Sequence, residues 1–448
     1  MNSELTGLWK NLTGDALEPD AVELTGDESV LPGPFRVAAA ASTAVAATTL
    51  AAAELLRLRG IEPGQVVVDT RHAAAAFQSE RHLLVDGESP GAGWAPLSGD
   101  YRARDGWVRL HCNYPDHVSA VCWALGAPAT KDAIAAVVAG KTAQEVQEAV
   151  IWSGGAAALM RSADEWRAHP QGQAVAASPL VDLEQAGDAP QRALWDSDRA
   201  AGGLRILDLT HVIAGPVAGR TLAAHGANVL HVGAAHLPTV RPLVIDTGLG
   251  KRSTHINLTI DGGRNRLRKL VSRADVLIQS FRPGALAKQG FSLDELFELR
   301  PGLVVVDISA YGPSGPWAGR RGFDSLVQMA SGIAAEEGLD EPRPLPAQAL
   351  DHATGWLAAA AVMTAVRRQV AEGGSWHAKL SLAATGNWLD SLGRKDSAGE
   401  LPDISDLLDQ TESQFGRLTH VRAPGVLPGA SPMWTDGTHL PGSDAPVW

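Results

Sequence analysis

The chain has 448 residues, 45% apolar and 20% charged, which is ordinary globular composition with length enough for two or three domains. A formal net charge of −12 excludes the basic footprint that nonspecific nucleic-acid binding needs. Two cysteines, Cys112 and Cys122, lie near His111 and His117, but the spacing matches no standard zinc pair, so two reduced core thiols in a cytoplasmic protein are expected.

In chain order, "MNSELTGLWKNLTG" lacks the basic and apolar regions of a secretory signal, so none is expected. Residues 1–34 read as an irregular arm ending in the "LPGP" turn. The uncharged stretch "VAAAASTAVAATTLAAA" (37–53) imitates a membrane span, but it is mostly Ala and Thr and Glu54 follows. A buried helix over 37–59 is expected, and no membrane partner. "GQVVVD" (64–69) reads as a buried strand and "ESPGAGWAPLSGD" (88–100) as a connector. "YRARDGWVRLHC" (101–112) alternates like a hairpin with Asp105-Gly106 at its turn, and 116–195 reads as amphipathic helices.

At 196–203 the character changes. Apolar strands are expected at 204–209, 228–233, 275–280 and 303–309, separated by helical patterns at 216–225, 261–273 and 292–299. That alternation predicts an α/β fold: a doubly wound, Rossmann-like parallel-sheet large domain beside a smaller α+β domain. The expected division is an N-terminal arm (1–34), a helix and strand contributing to the large domain (35–95), the small domain (96–198), the large domain (199–395) and a C-terminal arm (396–448). Ligands of such sheets bind past the strand carboxyl ends, here Thr210–Pro216, Gln279–Leu286 and Ser309–Arg321.

Residues 41–77 and 351–389 repeat one pattern: an Ala-rich helix, an Arg-containing last turn, Gly, then a strand. Aligned on Gly64 and Gly374, Asp351 falls opposite Ala41. Asp351 opens the apolar run "QALDHATGWLAAAA" (348–361), where an acid commonly caps a helix and where the helix dipole favours an ionised carboxylate.

No G-x-G-x-x-G loop accompanies the βαβ unit; "THVIAGP" stands in its place, so NAD is not expected, and no metal motif is present. Lys251-Arg252 in "GKRST", Arg282 and Lys288 in "SFRPGALAKQGF", and Arg320-Arg321 in "GRRGFD" fall beside the expected crevice. Basic side chains so placed favour a phosphorylated ligand.

With "LRILDLTHVIAGPVAGRTLAAHGANVLHV", "GKRST", "ADVLIQSFRPGALAKQGF", "RPGLVVVDISAYGPSGPWAGRRGFDSLVQMASG" and the acid-plus-helix at 351–372 in this order, the chain resembles the family III CoA-transferases of the CaiB/BaiF type. Residues 37–190 resemble that family's second half, placed before the first. The resemblance implies Asp351 as nucleophile, forming a mixed anhydride and then an aspartyl-CoA thioester as CoA moves from an acyl-CoA donor to a carboxylic acid acceptor. It implies CoA contacts at Ala214, Ile256, Asn257, Leu258, Thr259, Ser280, Phe281, Arg282, Lys288, Arg321, Gly322, Phe323 and Asp324, with Lys288 and Arg321 on the phosphates.

The chain departs from the family pattern at "HVGAAH", where an acid and a base are usual, so Arg241 is the expected substitute. It departs also at Ile213 and Ser280, and "SPGAGW" (89–94) stands as the candidate lid. The resemblance further implies an interlocked homodimer, with coenzyme A as substrate and neither metal nor NAD. The alternatives are an acyl-CoA racemase or isomerase, disfavoured because Phe323 stands where that chemistry places a His, and a non-catalytic CoA-binding subunit. His211 and His352 are the nearby imidazoles, each expected to be structural.

Overall fold

The apolar runs expected at 204–209, 228–233, 275–280 and 303–309 each form a strand of the large sheet, and the Gly- and Pro-rich segments between them form loops. The computed structural model describes residues 2–91, 93–338, 340–396, 399–400 and 402–448. The large sheet has seven strands: β1 (Asp182–Gly187), β2 (Arg205–Leu209), β3 (Asn228–Gly233), β4 (Lys251–His255), β5 (Val276–Gln279), β6 (Val304–Ser309) and β7 (Ser375–Ser381). Their spatial order is β4-β3-β2-β5-β6-β7-β1, with all pairings parallel except β7 with β1. The first six follow the doubly wound order, whose crevice opens where the winding reverses, between β2 and β5. β1 leaves the expected small domain and joins the large sheet, crossing the boundary expected at 198.

Four helices position the site: α1 (Val37–Leu58), α2 (Ala214–Ala224), α3 (Asp324–Ser331) and α4 (Ala349–Ala371). α1 is long and apolar enough to cross a membrane, but nearly all of it is buried inside the protein. Its small side chains let it lie close against α4, and Thr48 Oγ1 donates to Trp356 O at 2.8 Å. The strand at Val66–Asp69 pairs with Val22–Thr25 in a separate two-stranded sheet, outside the large one.

The small domain carries the expected hairpin, Gly99–Arg102 with Trp107–Leu110, and adds Ala157–Leu159 to it. Its core, with Val108, Leu110, Val121, Ile134 and Val146, is separate from that of the large domain.

The irregular arm expected at 1–34 contains a helix at Asn2–Thr13. It buries Leu5, Leu8, Trp9 and Leu12, an i, i+3, i+4, i+7 stripe. At the other end, a hairpin at Leu408–Ser413 and Gly416–Val421 pairs with Leu84–Val85. The tail beyond it docks: Trp434 Nε1 donates to Arg220 O at 2.9 Å and Trp448 Nε1 to Leu270 O at 3.0 Å. Ser253 N donates to Asp444 Oδ2 at 2.7 Å, so the tail covers the edge strand β4, whose backbone groups would otherwise offer a template for another strand.

Candidate active site

Asp351 does not cap its helix. The N-cap of α4 is Gln348, whose side chain makes no capping bond, and Asp351 sits in the first turn. The cap comes from α3: Asp324 Oδ2 accepts from the Asp351 N–H at 2.9 Å. Asp324 also accepts from the Leu350 N–H and from Gln328 Nε2, which holds its other oxygen. This leaves the Asp351 carboxylate free of its own helix end, as a helix needs only some acceptor for its orphan donors.

Both carboxyl groups are nearly dry, with Asp351 7% and Asp324 1% exposed. Burial, then the charges of Asp324 and Glu80, push Asp351 well above the ordinary carboxylate range. Burial raises Asp324 to about 6, its backbone and Gln328 donors opposing the shift. Burial would raise Glu80 too, but His352 wins: its Nε2 lies 3.1 Å from Glu80 Oε2 and lowers that carboxyl. His352 is fully buried and its ring stacks on Phe77.

One donor favours the ionised form of Asp351: the backbone N–H of Ala214, first residue of α2. A helix N-terminus thus points its free amide at the carboxylate. Two features hold it there. Gly355, one turn along α4 from Asp351, lets α2 approach; a Cβ there would lie 2.4 Å from Ala214 O and 2.8 Å from Val217 Cβ. Val212, two residues before Ala214, has φ +73°, a conformation costly for a β-branched residue.

The small domain closes over this site. His111 stacks face to face on Phe323, with ring centroids 3.6 Å apart. Burial and then the charge of Asp351 push the Tyr114 hydroxyl up to about 12. Burial lowers His111 to about 3 and His117 to about 4, so both imidazoles are neutral at pH 7. In the "SPGAGW" segment Asn113 Nδ2 donates to Gly93 O at 2.9 Å, and Trp94 meets His111 edge-on at 5.9 Å; Ala92 lies outside the described residues.

The structure brings Ala214, Asp324 and Asp351 together, with Phe323 as their neighbour. Gly322 fits because a Cβ would lie 2.5 Å from Ala310 Cβ. Arg321 donates through Nη1 to Gly154 O and lies near Arg282, which is exposed. Ser280, Phe281, Arg282 and Lys288 follow β5, and the Phe281 N–H is held by Gln279 Oε1 at 2.7 Å. Ile256 is buried past β4, Leu258 packs beside it, and Asn257 Oδ1 accepts from the Thr259 N–H at 3.0 Å. Among the described residues, no hydrogen bond or ion pair links 256–259, Ser280 or Lys288 to the carboxylate pair.

Three of the expected phosphate-binding cations are engaged elsewhere. Lys251 is buried, its Nζ 2.8 Å from both Asp208 Oδ2 and Pro216 O. Arg252 Nη1 donates to Val447 O at 2.9 Å. Arg320 donates through Nη2 to Ala157 O at 2.8 Å and stacks on Trp317. Arg241, the expected substitute, lies over the Phe415 ring. Sequence reasoning missed Glu80, His111 and Tyr114 as neighbours of the site; the one signal was the family-like order swap, which set these residues ahead of the nucleophile.

A family model, CoA-transferase family III, matches residues 22–195 and 202–392. An acyl-CoA transferase of Gibberella moniliformis is 27% identical over 420 residues, 83% of this chain and 74% of that one. An acetyl-coenzyme A transferase of Hypoxylon pulicicidum is 31% identical over 251 residues, 52% of this chain and 42% of that one. A formyl-CoA:oxalate CoA-transferase of Streptomyces coelicolor is 32% identical over 181 residues, 38% of this chain and 44% of that one. The match thus spans less than half the length of the latter two relatives.

Proposed function

The chain belongs to CoA-transferase family III, and on that premise we propose that it moves CoA from an acyl-CoA donor to a carboxylic acid through Asp351. The observation that carries the reading is the buried Asp351 carboxylate, held beside a second carboxyl and facing the Ala214 amide. Burial and like charge make this carboxylate reactive, because the ionised form is poorly solvated.

A balanced sequence follows. An Asp351 oxygen attacks the donor thioester carbonyl, and the C–S bond breaks to give a mixed anhydride and CoA thiolate. The thiolate attacks the Asp351 carbonyl, releasing the donor acid and leaving an aspartyl-CoA thioester. The acceptor carboxylate displaces the thiolate to form a second anhydride. The thiolate then attacks the acceptor's carbonyl, which releases acceptor-CoA and free Asp351. Each attack on the Asp351 carbonyl places negative charge on its oxygen. An N–H aimed at that oxygen stabilises the tetrahedral species. Arg321 and Arg282 supply positive charge at the crevice mouth for the CoA phosphates.

The racemase alternative requires an imidazole able to take a proton. His352 is committed to Glu80, and burial lowers His111 to about 3 and His117 to about 4, which makes both weak proton acceptors. The test is intact-protein mass spectrometry after incubation with an acyl-CoA panel. Wild type is expected to gain a covalent CoA adduct that hydroxylamine removes, and Asp351→Ala to gain none. Equal CoA exchange by both proteins would sink the proposal.

A further inference from the structure

We infer that the active site is assembled in cis from two internal repeats: the first supplies the cover and the second supplies the nucleophile, so one chain makes a complete site. The inference rests on reading Asp351 as the nucleophile.

The repeat extends further in structure than in sequence. Under the one constant shift that sets Gly64 opposite Gly374, α1 answers α4 and the strand Val66–Asp69 answers β7. The helix Thr70–Ala76 answers Leu382–Ser391. The hairpin Gly99–Arg102 and Trp107–Leu110 answers Leu408–Ser413 and Gly416–Val421. Gly64 and Gly374 share a left-handed conformation, φ +74° and +86°. The two repeated helices pack on one another, and under the same shift Trp356, whose carbonyl Thr48 meets, answers Ala46. Contact at nearly equivalent positions is what a two-fold relation between identical surfaces produces.

The repeats then diverge at two places. Where the second carries Asp351, the first carries Ala41, fully buried and without a carboxylate. After its hairpin the first repeat runs through "HCNY" into the helix Pro115–Leu125, laying His111 on Phe323 and Tyr114 near Asp351. At the equivalent point the second repeat runs through "VRAP" into the segment that docks along β4. The repeated unit therefore has one acid and one cover in the described residues, on opposite repeats.

Connectivity places that cover in the same chain. The chain leaves the small domain through β1, which pairs antiparallel with β7, the strand that follows the nucleophile helix. Further bonds pin the cover down: Arg161 N to Met329 O at 3.0 Å, Arg320 Nη2 to Ala157 O at 2.8 Å, and Arg321 to Gly154 O. A cover donated by a second copy would have to unzip the β1–β7 pairing.

The test joins a cross-link to a dilution. In a chain with Cys112 and Cys122 changed to Ser, His111→Cys and Phe323→Cys are introduced and mildly oxidised, then run on a non-reducing gel. The expected product is a disulfide within one chain, migrating as a single chain. A covalent dimer would overturn the cis assignment, and failure of the pair to close would overturn the contact itself. Wild type, which needs no substitution, is assayed for CoA exchange down to nanomolar concentration while its mass is followed by sedimentation. Constant specific activity in a single-chain species is expected; activity that falls in step with dissociation of a dimer would overturn the inference. Asp351→Ala is run alongside. If it keeps exchange activity, the nucleophile reading fails, whatever the gel and dilution results say about the cover.

Discussion

The backbone N–H of Asp351 donates to Asp324 Oδ2 at 2.9 Å, so the residue read as the nucleophile is anchored through its main chain by a neighbouring acid. The same arrangement sets two carboxyl groups in one dry pocket, and the charge of Asp324 makes Asp351 harder to ionise. Ionised Asp351 is the reactive form. Its pKa is raised, so activity grows only as pH rises through that higher value. The acid limb of kcat/KM is expected well above pH 3.8, the ordinary aspartate value. Asp324→Asn keeps an oxygen for the two backbone N–H groups and removes the charge. It is expected to move the limb to lower pH, and an unmoved limb would show that Asp324 does not tune the site.

The raised pKa of Asp351 is also a stability statement. The folded protein holds the Asp351 proton more tightly than the unfolded chain does, so stability falls as pH rises from the unfolded pKa to the folded one. Above that window the fold carries the full penalty of a buried charge. Asp351→Asn removes it. Each pKa unit corresponds to about 1.4 kcal/mol, so a rise in Tm of a few degrees is expected at pH 8, shrinking towards zero near pH 4. Thermal melts at both pH values check this; a loss of stability at pH 8 would contradict it.

Strands β2, β3, β5 and β6 were legible because each is a largely apolar run, and the reversal of order at β2 and β5 follows from doubly wound topology; β1 (DLEQAG) and β4 (KRSTH) are mostly polar and carried no such signal. Asp351 was legible by position, but the capping of its helix by a different acid, Asp324, was not. The acceptor that caps α4 lies 27 residues away, beyond any local pattern. Lys251 misled for the same reason: it reads as a free cation until its partner Asp208, 43 residues earlier, is seen beside it. The helix at Asn2–Thr13 carried its apolar stripe in plain view, whereas the nearness of Tyr114 to Asp351 depends wholly on how two domains dock.

Gly355 tests whether the Ala214 amide matters. Gly355→Ala puts a methyl against the Ala214 carbonyl and the Val217 side chain, pushing α2 from α4. A loss of about 1–3 kcal/mol in stability is expected from overpacking, with kcat reduced about 10- to 100-fold as the amide moves off the carboxylate. The matched control is Gly386→Ala, where the nearest atom to a Cβ is 3.6 Å away and the helix should gain about 0.5–1 kcal/mol. Unchanged kcat in a folded Gly355→Ala protein would show that the amide plays no part in the chemistry.

The cations divide by what holds them. Arg321 bonds one backbone carbonyl and lies near the exposed Arg282, leaving guanidinium edges for an anion. Arg321→Ala is expected to raise KM for acyl-CoA about 10- to 100-fold, the worth of one lost charge-assisted hydrogen bond, with a smaller change in kcat. Added salt should weaken wild type more than the variant, because screening acts on the interaction the variant lacks. Lys251 differs, since it neutralises the fully buried Asp208. Lys251→Ala leaves that carboxylate unpaired and should cost about 3–5 kcal/mol in folding, with little change in KM in whatever protein remains folded. Urea titration beside steady-state kinetics separates the two outcomes. A stable Lys251→Ala protein with weakened CoA affinity would return Lys251 to the ligand-binding set.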